Sequence, residues 1–325
     1  MFFTEVKIER NPGAIRHGDK IWSIGSCFAD EIGRRMADAL FDIRVNPCGT
    51  LYNPFSIANA LTRIASGTPY TGADIFLHNG LWHCMDFHSS FSRADASEAL
   101  AAINGAITAL HAELPRLRLL MVTFGSARAF IDNATCNPAG NCHKLPASRF
   151  HVRDFAAGEI VDTFTEAITL LRQTAPGLRV IYTVSPIRHK AYGFHADRIS
   201  KASLLIAADE LCRRDTASLY FPAYEIMNDE LRDYRFYAAD MIHPSEVAAD
   251  HICNRFLHSQ CDDTTISLAE ECIRLTRRIG HRPINAYTPE AEAFRRATTE
   301  EAARLCREHP ELSEALHRYD KATKH

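Results

Sequence analysis

Along roughly the first 255 residues, short apolar runs alternate with stretches in which apolar side chains recur every four positions. Ile21-Trp22-Ser23-Ile24 ends at Gly25, and Phe28, Ile32, Met36 and Leu40 then fall at four-residue steps. A continuous apolar run reads as a buried strand, and a four-step recurrence as one face of a helix. Asn53-Pro54 opens a second helical pattern through Ile64, with Asn53 placed to cap it. The run Leu119 to Phe124, closed by Gly125, predicts a strand, and Val161 to Arg172 a helix. Arg179 to Val184 predicts another strand, closed by Ser185-Pro186 and followed by a helical region over Ser203 to Leu211. Leu219-Tyr220-Phe221, leading to Ile226-Met227, predicts a further strand. Pro244 opens a last helix through Phe256, with His243 at the capping position before it.

Strand alternating with helix at this spacing predicts an α/β fold of three layers, α/β/α, around a parallel sheet. In such sheets the chemistry gathers at the carboxyl ends of the strands. Beyond about residue 260 the charge density rises and strand-like runs cease. Thr264 to Ile279, Pro289 to Arg307 and Glu311 to Lys321 read as amphipathic polar helices. The expected division is a catalytic domain over 1–258 and a helical C-terminal extension over 259–325. That extension is read as a packing or self-association surface, giving a homo-oligomer through its helices, with a lid over the active site as the alternative.

Composition narrows the function classes. The 325 residues are 46% hydrophobic and 24% charged with a formal net charge of −3, ordinary for a globular chain and without the basic footprint of a nucleic-acid binder. No apolar run reaches the ~18 residues of a membrane span. The N-terminal MFFTEVKIERNPG lacks the basic start, apolar centre and cleavage site of a secretion signal, so a cytoplasmic location without membrane partners is expected. Ten cysteines are scattered without a CxxC pair, which suits buried thiols in a reducing compartment. Cys136, Cys142 and His143 match no common zinc spacing, and neither metal nor cofactor is expected.

Two stretches carry candidate chemistry. Ser26 sits where an apolar strand ends and an amphipathic helix begins, beside free first-turn N–H groups and a positive dipole end. Asp240-Met241-Ile242-His243 puts a carboxylate three residues before an imidazole, a spacing that lets the acid fix the ring's tautomer and leave the second nitrogen to take a proton. Cys27, at the same helix start, is the rival nucleophile.

The string Gly25-Ser26-Cys27-Phe28-Ala29, with Asn46-Pro47-Cys48-Gly49-Thr50-Leu51-Tyr52-Asn53-Pro54, His88-Ser89-Ser90-Phe91, Asn141-Cys142-His143-Lys144, Ser185-Pro186-Ile187-Arg188-His189, Ser200-Lys201-Ala202 and Asp240-Met241-Ile242-His243-Pro244, resembles the GSCFA-domain family over about residues 18 to 256. The layout also resembles the wider SGNH (GDSL-like) hydrolase superfamily, which implies a flavodoxin-like sheet and acyl transfer. On that resemblance Ser26 is the nucleophile, His243 its base and Asp240 the orienting acid. The N–H groups of Ser26 and Gly49 form the oxyanion hole. Two features depart from the superfamily pattern. No acid precedes Ser26, and Gly125-Ser126-Ala127-Arg128 lacks the third-block asparagine, leaving Asn141 as the third donor and Ser126 as its alternative. His88, His143, His189 and Arg188 are the candidate substrate-binding residues. The implied function is a serine esterase-type hydrolase acting through an acyl-serine on a small-molecule or glycan ester, such as an O-acylated carbohydrate. An O-acyltransferase with the same triad and a non-catalytic binding protein are the alternatives.

Overall fold

The computed structural model describes residues 4–285 and 287–323. In chain order the elements are β1 (Lys20–Gly25), α1 (Cys27–Asp38), β2 (Ile43–Val45), α2 (Pro54–Ser66), β3 (Ile75–His78), β4 (Leu81–Cys84), α3 (Ala96–Glu113), β5 (Leu117–Phe124), β6 (Arg128–Asp132), β7 (Phe150–Asp154), α4 (Ala157–Thr174), β8 (Arg179–Val184), α5 (Phe194–Arg214), β9 (Ser218–Tyr220), α6 (Ala223–Glu225), α7 (Glu246–Gln260), α8 (Asp263–Ile279), α9 (Pro289–Glu308) and α10 (Ser313–Thr323). Five strands form one parallel sheet in the order β2-β1-β5-β8-β9. The hairpins β3–β4 and β6–β7 stand outside it.

Alternation along the strands builds a core on each face. Trp22, Ile24, Leu120, Val122, Val180 and Tyr182 point to the face covered by α2, α3, α4 and α5. Ile21, Leu119, Met121 and Ile181 point to the face covered by α1, α7 and the segment after β9. The result is the expected three-layer α/β/α arrangement around a parallel sheet. Among the described residues no helix is long and apolar enough to cross a membrane.

Two local expectations are corrected. Ile226-Met227 is helical: α6 runs on into a π-helical turn over Ile226–Glu230, and both side chains are buried against the sheet. A two-residue apolar pair carries no period, so its burial alone could not separate strand from helix. The last core helix begins at Glu246, not Pro244, and Ser245 caps it by accepting from the Ala248 N–H at 3.3 Å.

The extension packs at the amino end of the sheet. Leu40 joins Leu268, Cys272, Leu275, Leu305 and Leu312 in a third core. Buried Lys20 lies 2.5 Å from Asp42 and 2.9 Å from Glu314, and Arg318 pairs with Asp42 at 2.5 Å. The Thr276 hydroxyl donates to the Asp38 carbonyl at 2.7 Å. These contacts put the tail at the edge opposite Gly25 and α1's first turn, so it is not a lid over that turn.

Candidate active site

The carboxyl end of β1 is held by its neighbours' backbone. Gly25 N–H donates to Asn46 Oδ1 at 2.8 Å, and Leu51 N–H donates to the Gly25 carbonyl at 2.8 Å. Gly25 has φ +143°, and a Cβ there would sit 2.1 Å from the Thr123 carbonyl oxygen, so only glycine fits this close strand approach. Asn46 Nδ2 donates to Asp30 Oδ1 at 2.8 Å, and Thr50 Oγ1 donates to Asp30 Oδ2 at 3.2 Å. Burial raises the Asp30 pKa against these two hydrogen bonds. The loop from 46 to 52 is thereby tied to α1, and the Tyr52 carbonyl accepts from the Gly125 and Ser126 N–H groups at 3.0 and 2.9 Å.

Ser26 and Cys27 are adjacent but face different ways. Ser26 caps α1 with φ −67° and ψ 172°, its hydroxyl accepting from the Phe28 N–H at 3.3 Å, and it is 1% exposed. Its own N–H donates to the Thr123 carbonyl at 3.1 Å. Cys27 is half-buried, and its Sγ lies 3.8 Å from His243 Nε2. The sequence pairs Ser26 with His243, whereas the side chain the fold brings to that ring is Cys27.

His243 is held by a tight loop. His243 Nδ1 lies 2.5 Å from Asp240 Oδ2, while Asp240 Oδ1 accepts from the N–H groups of Ile242 at 2.9 Å and His243 at 3.0 Å. Those bonds, led by the His243 N–H, hold the Asp240 pKa down at about 2. Met241 turns the chain with φ +59°, and Ala238 N–H donates to the His243 carbonyl at 2.8 Å. With the acid on Nδ1, Nε2 is the nitrogen left to accept the thiol proton. His243 and Asp240 have side chains 48% and 46% exposed, so the site opens to solvent on this side.

Burial raises the Cys27 thiol pKa, and the nearby Tyr52 hydroxyl and Lys201 ammonium draw it part of the way back. The resting group is therefore a thiol that needs a base. Beneath it Lys201 is 1% exposed and donates from Nζ to the carbonyls of Gly125 at 2.7 Å and Ser185 at 2.8 Å. Burial lowers its pKa to about 8. His189 faces Tyr52 edge-on at 5.8 Å and stacks on Tyr192 at 5.4 Å. Burial takes the His189 pKa down to about 4, with Lys201 adding to the effect.

The other expected site residues have different placements. Gly49 N–H donates to the Asn46 carbonyl at 2.7 Å, so neither it nor the Ser26 N–H is free for an oxyanion. The first-turn N–H of Cys27 is instead a donor that the helix cannot satisfy by itself. Asn141 N–H donates to the Met85 carbonyl, and its Oδ1 accepts from the His143 N–H. His143 is buried with Nε2 on the Cys84 carbonyl at 2.7 Å and Nδ1 on Ser89 Oγ at 3.2 Å, and burial lowers its pKa to about 4. It locks two loops together and presents no free nitrogen. His88 is half-buried, bonded to its neighbour Ser90, and packs over Gly49. Arg188 lies against Tyr237 and Phe194 at 4.5 and 5.8 Å. Among the described residues Cys136, Cys142 and His143 do not form a metal-ligating cluster.

Tyr52 and Lys201 lie within the strings that carry the family resemblance, which assigns neither of them a role. For Lys201 a signal existed: Asp197, Ser200 and Lys201 occupy the same buried face of α5 as Leu204, Ala208 and Leu211. Comparison with known families finds that residues 20–256 match the GSCFA family. No curated protein matches the chain.

Proposed function

The chain belongs to the GSCFA family, and from that premise we propose that it is an acyl-transfer hydrolase of SGNH type whose nucleophile is Cys27, with His243 as base and Asp240 as its orienting acid. The observation that carries this reading is the relay Cys27 Sγ to His243 Nε2 at 3.8 Å and His243 Nδ1 to Asp240 at 2.5 Å. Such a chain of nucleophile, base and orienting acid is recognised by geometry and not by sequence order.

In the proposed cycle His243 Nε2 takes the thiol proton as sulfur bonds the acyl carbonyl carbon. The carbonyl electron pair moves onto oxygen, near the Cys27 N–H and the positive end of α1. Collapse expels an alkoxide or thiolate, which leaves with the proton held on His243. Water, deprotonated by the same nitrogen, then attacks acyl-Cys27, releasing the acid and restoring the thiol. Esters and thioesters are the substrate class, O-acylated carbohydrates among them. The half-exposed base favours water as acceptor, since transfer to an alcohol requires water to be kept out.

The test is intact-mass detection of an acetyl adduct from p-nitrophenyl acetate, with product analysis in the presence and absence of sugar acceptors. A transient adduct of acetyl mass and release of acetate support the reading. An unmodified protein with no acetate released overturns it and favours a non-catalytic binding protein. Acetylated sugar in place of acetate assigns the transferase.

A further inference from the structure

A second cavity of about 270 Å³ lies beside this site, lined in part by Arg188, Arg198, Arg232, Asn228, Asp229 and Asp233. Three arginines line it together with two aspartates, and among the described residues none of the three lies within ion-pair distance of a carboxylate. Arg198 donates only to the Tyr224 hydroxyl at 2.9 Å. Arg188 is the most constrained: its guanidinium packs between Tyr237 at 4.5 Å and Phe194 at 5.8 Å, and its Nε is buried with no hydrogen-bond partner. A planar guanidinium held against aromatic rings offers its other N–H groups to an oxyanion in a fixed orientation. Asp233 is engaged in capping the turn at Tyr234, accepting from the Arg235 N–H at 2.9 Å, and Asp229 is exposed.

The cavity is continuous with the catalytic loop. Arg188 directly precedes His189, which senses the charge on His243. Tyr237 pairs across the backbone with Pro244, the residue after the base. A group held by the arginines therefore lies next to the loop that carries His243.

We infer that this cavity binds an anionic group, phosphate or carboxylate, carried on the leaving portion of the substrate, so that the substrates are negatively charged acyl esters or thioesters. The inference rests on the acyl-transfer reading for its role and on the arginine geometry for its existence. Charge-assisted and bidentate bonds from arginine to an oxyanion supply the recognition.

The experiment uses the full chain and three acetyl thioesters whose thiol portion ends in phosphate, carboxylate or an uncharged amide. The expected result is kcat/KM higher by about tenfold or more for a charged probe than for the amide, as one well-made charged contact gives. The preferred arm identifies phosphate or carboxylate as the source. That ratio falls toward one in Arg188→Gln and in Arg232→Gln, the second being exposed and so without consequence for folding. A ratio near one in the wild type, with acetyl-Cys27 forming from the amide probe, overturns the inference alone. If no probe acylates the protein, the acyl-transfer reading falls, and calorimetric titration with inorganic phosphate decides the cavity separately. Saturable binding that is lost in Arg232→Gln supports it, and no binding overturns it.

Discussion

Separate alanine substitutions at Ser26 and Cys27 distinguish a cap from a nucleophile. Ser26→Ala removes one hydroxyl whose single cap bond to the Phe28 N–H is long, at 3.3 Å. That places the loss at the lower part of the usual cap range, about 0.5–1 kcal/mol. For a chain of this size the melting temperature should fall by only about 1 °C. The hydroxyl is not on His243, so acylation should continue. Cys27→Ala deletes a half-buried sulfur and costs little stability, but it takes away the atom 3.8 Å from Nε2. Turnover should then drop by about 10³-fold or more, since the remaining groups cannot form the covalent intermediate. The assay is acetyl release together with fragment-ion mapping of the adduct on the peptide spanning Ile21 to Arg34, with a thermal melt as the folding control. An adduct on Ser26, or activity that survives Cys27→Ala and disappears in Ser26→Ala, refutes the assignment of the thiol.

Three further outcomes are expected. Asp240→Asn should lower kcat by about 10²–10⁴-fold because the amide no longer fixes the His243 tautomer, with the melt little changed at this exposed loop; steady-state kinetics checks it. Gly25→Ala should destabilise by about 3 kcal/mol or more, since the new methyl meets the Thr123 carbonyl at 2.1 Å and φ is +143°; chemical denaturation or loss of soluble protein reads it. Lys201 titrates at about 8 when folded and at its ordinary 10.5 when unfolded, so between those values the unfolded chain holds the extra proton and stability rises with pH. Wild type minus Lys201→Met, compared by urea denaturation from pH 7 to 10.5, should show that upward slope, and a flat or falling difference contradicts the buried-ammonium argument.

The layers and most helices were legible because their burial is periodic. The strand-to-helix step at Gly25 follows from an apolar run giving way to four-residue recurrence. The choice between Ser26 and Cys27 does not, because both sit at that junction and one peptide's dihedrals decide which side chain turns into the cleft. The pattern held a hint nonetheless: an acid is expected just before the nucleophile, and moving the count by one puts Ser26 at that place and Cys27 after it. The Asp240–His243 loop was readable from its spacing, since a three-residue reach is local. The spent N–H groups of Ser26 and Gly49 were not readable, because their acceptors, Thr123 and Asn46, are set by strand pairing and by a turn. Lys201 was missed because a lysine in a helix is ordinarily solvated.

The charges gathered at the amino end of the sheet bear on what counts as one folding unit. Lys20 and Asp42 belong to the opening βαβ segment, yet Glu314 and Arg318, which help neutralise them, come from the final helix. A fragment stopping near residue 258 would leave Asp42 without its Arg318 partner and Lys20 without Glu314, at an edge no longer covered. Ribosomal synthesis makes β1 hundreds of residues before its counter-ions emerge, so that edge stays unfinished until α10 has been made. The stretch that matches the family and the stretch over which these charges are balanced are thus different lengths of the same polypeptide.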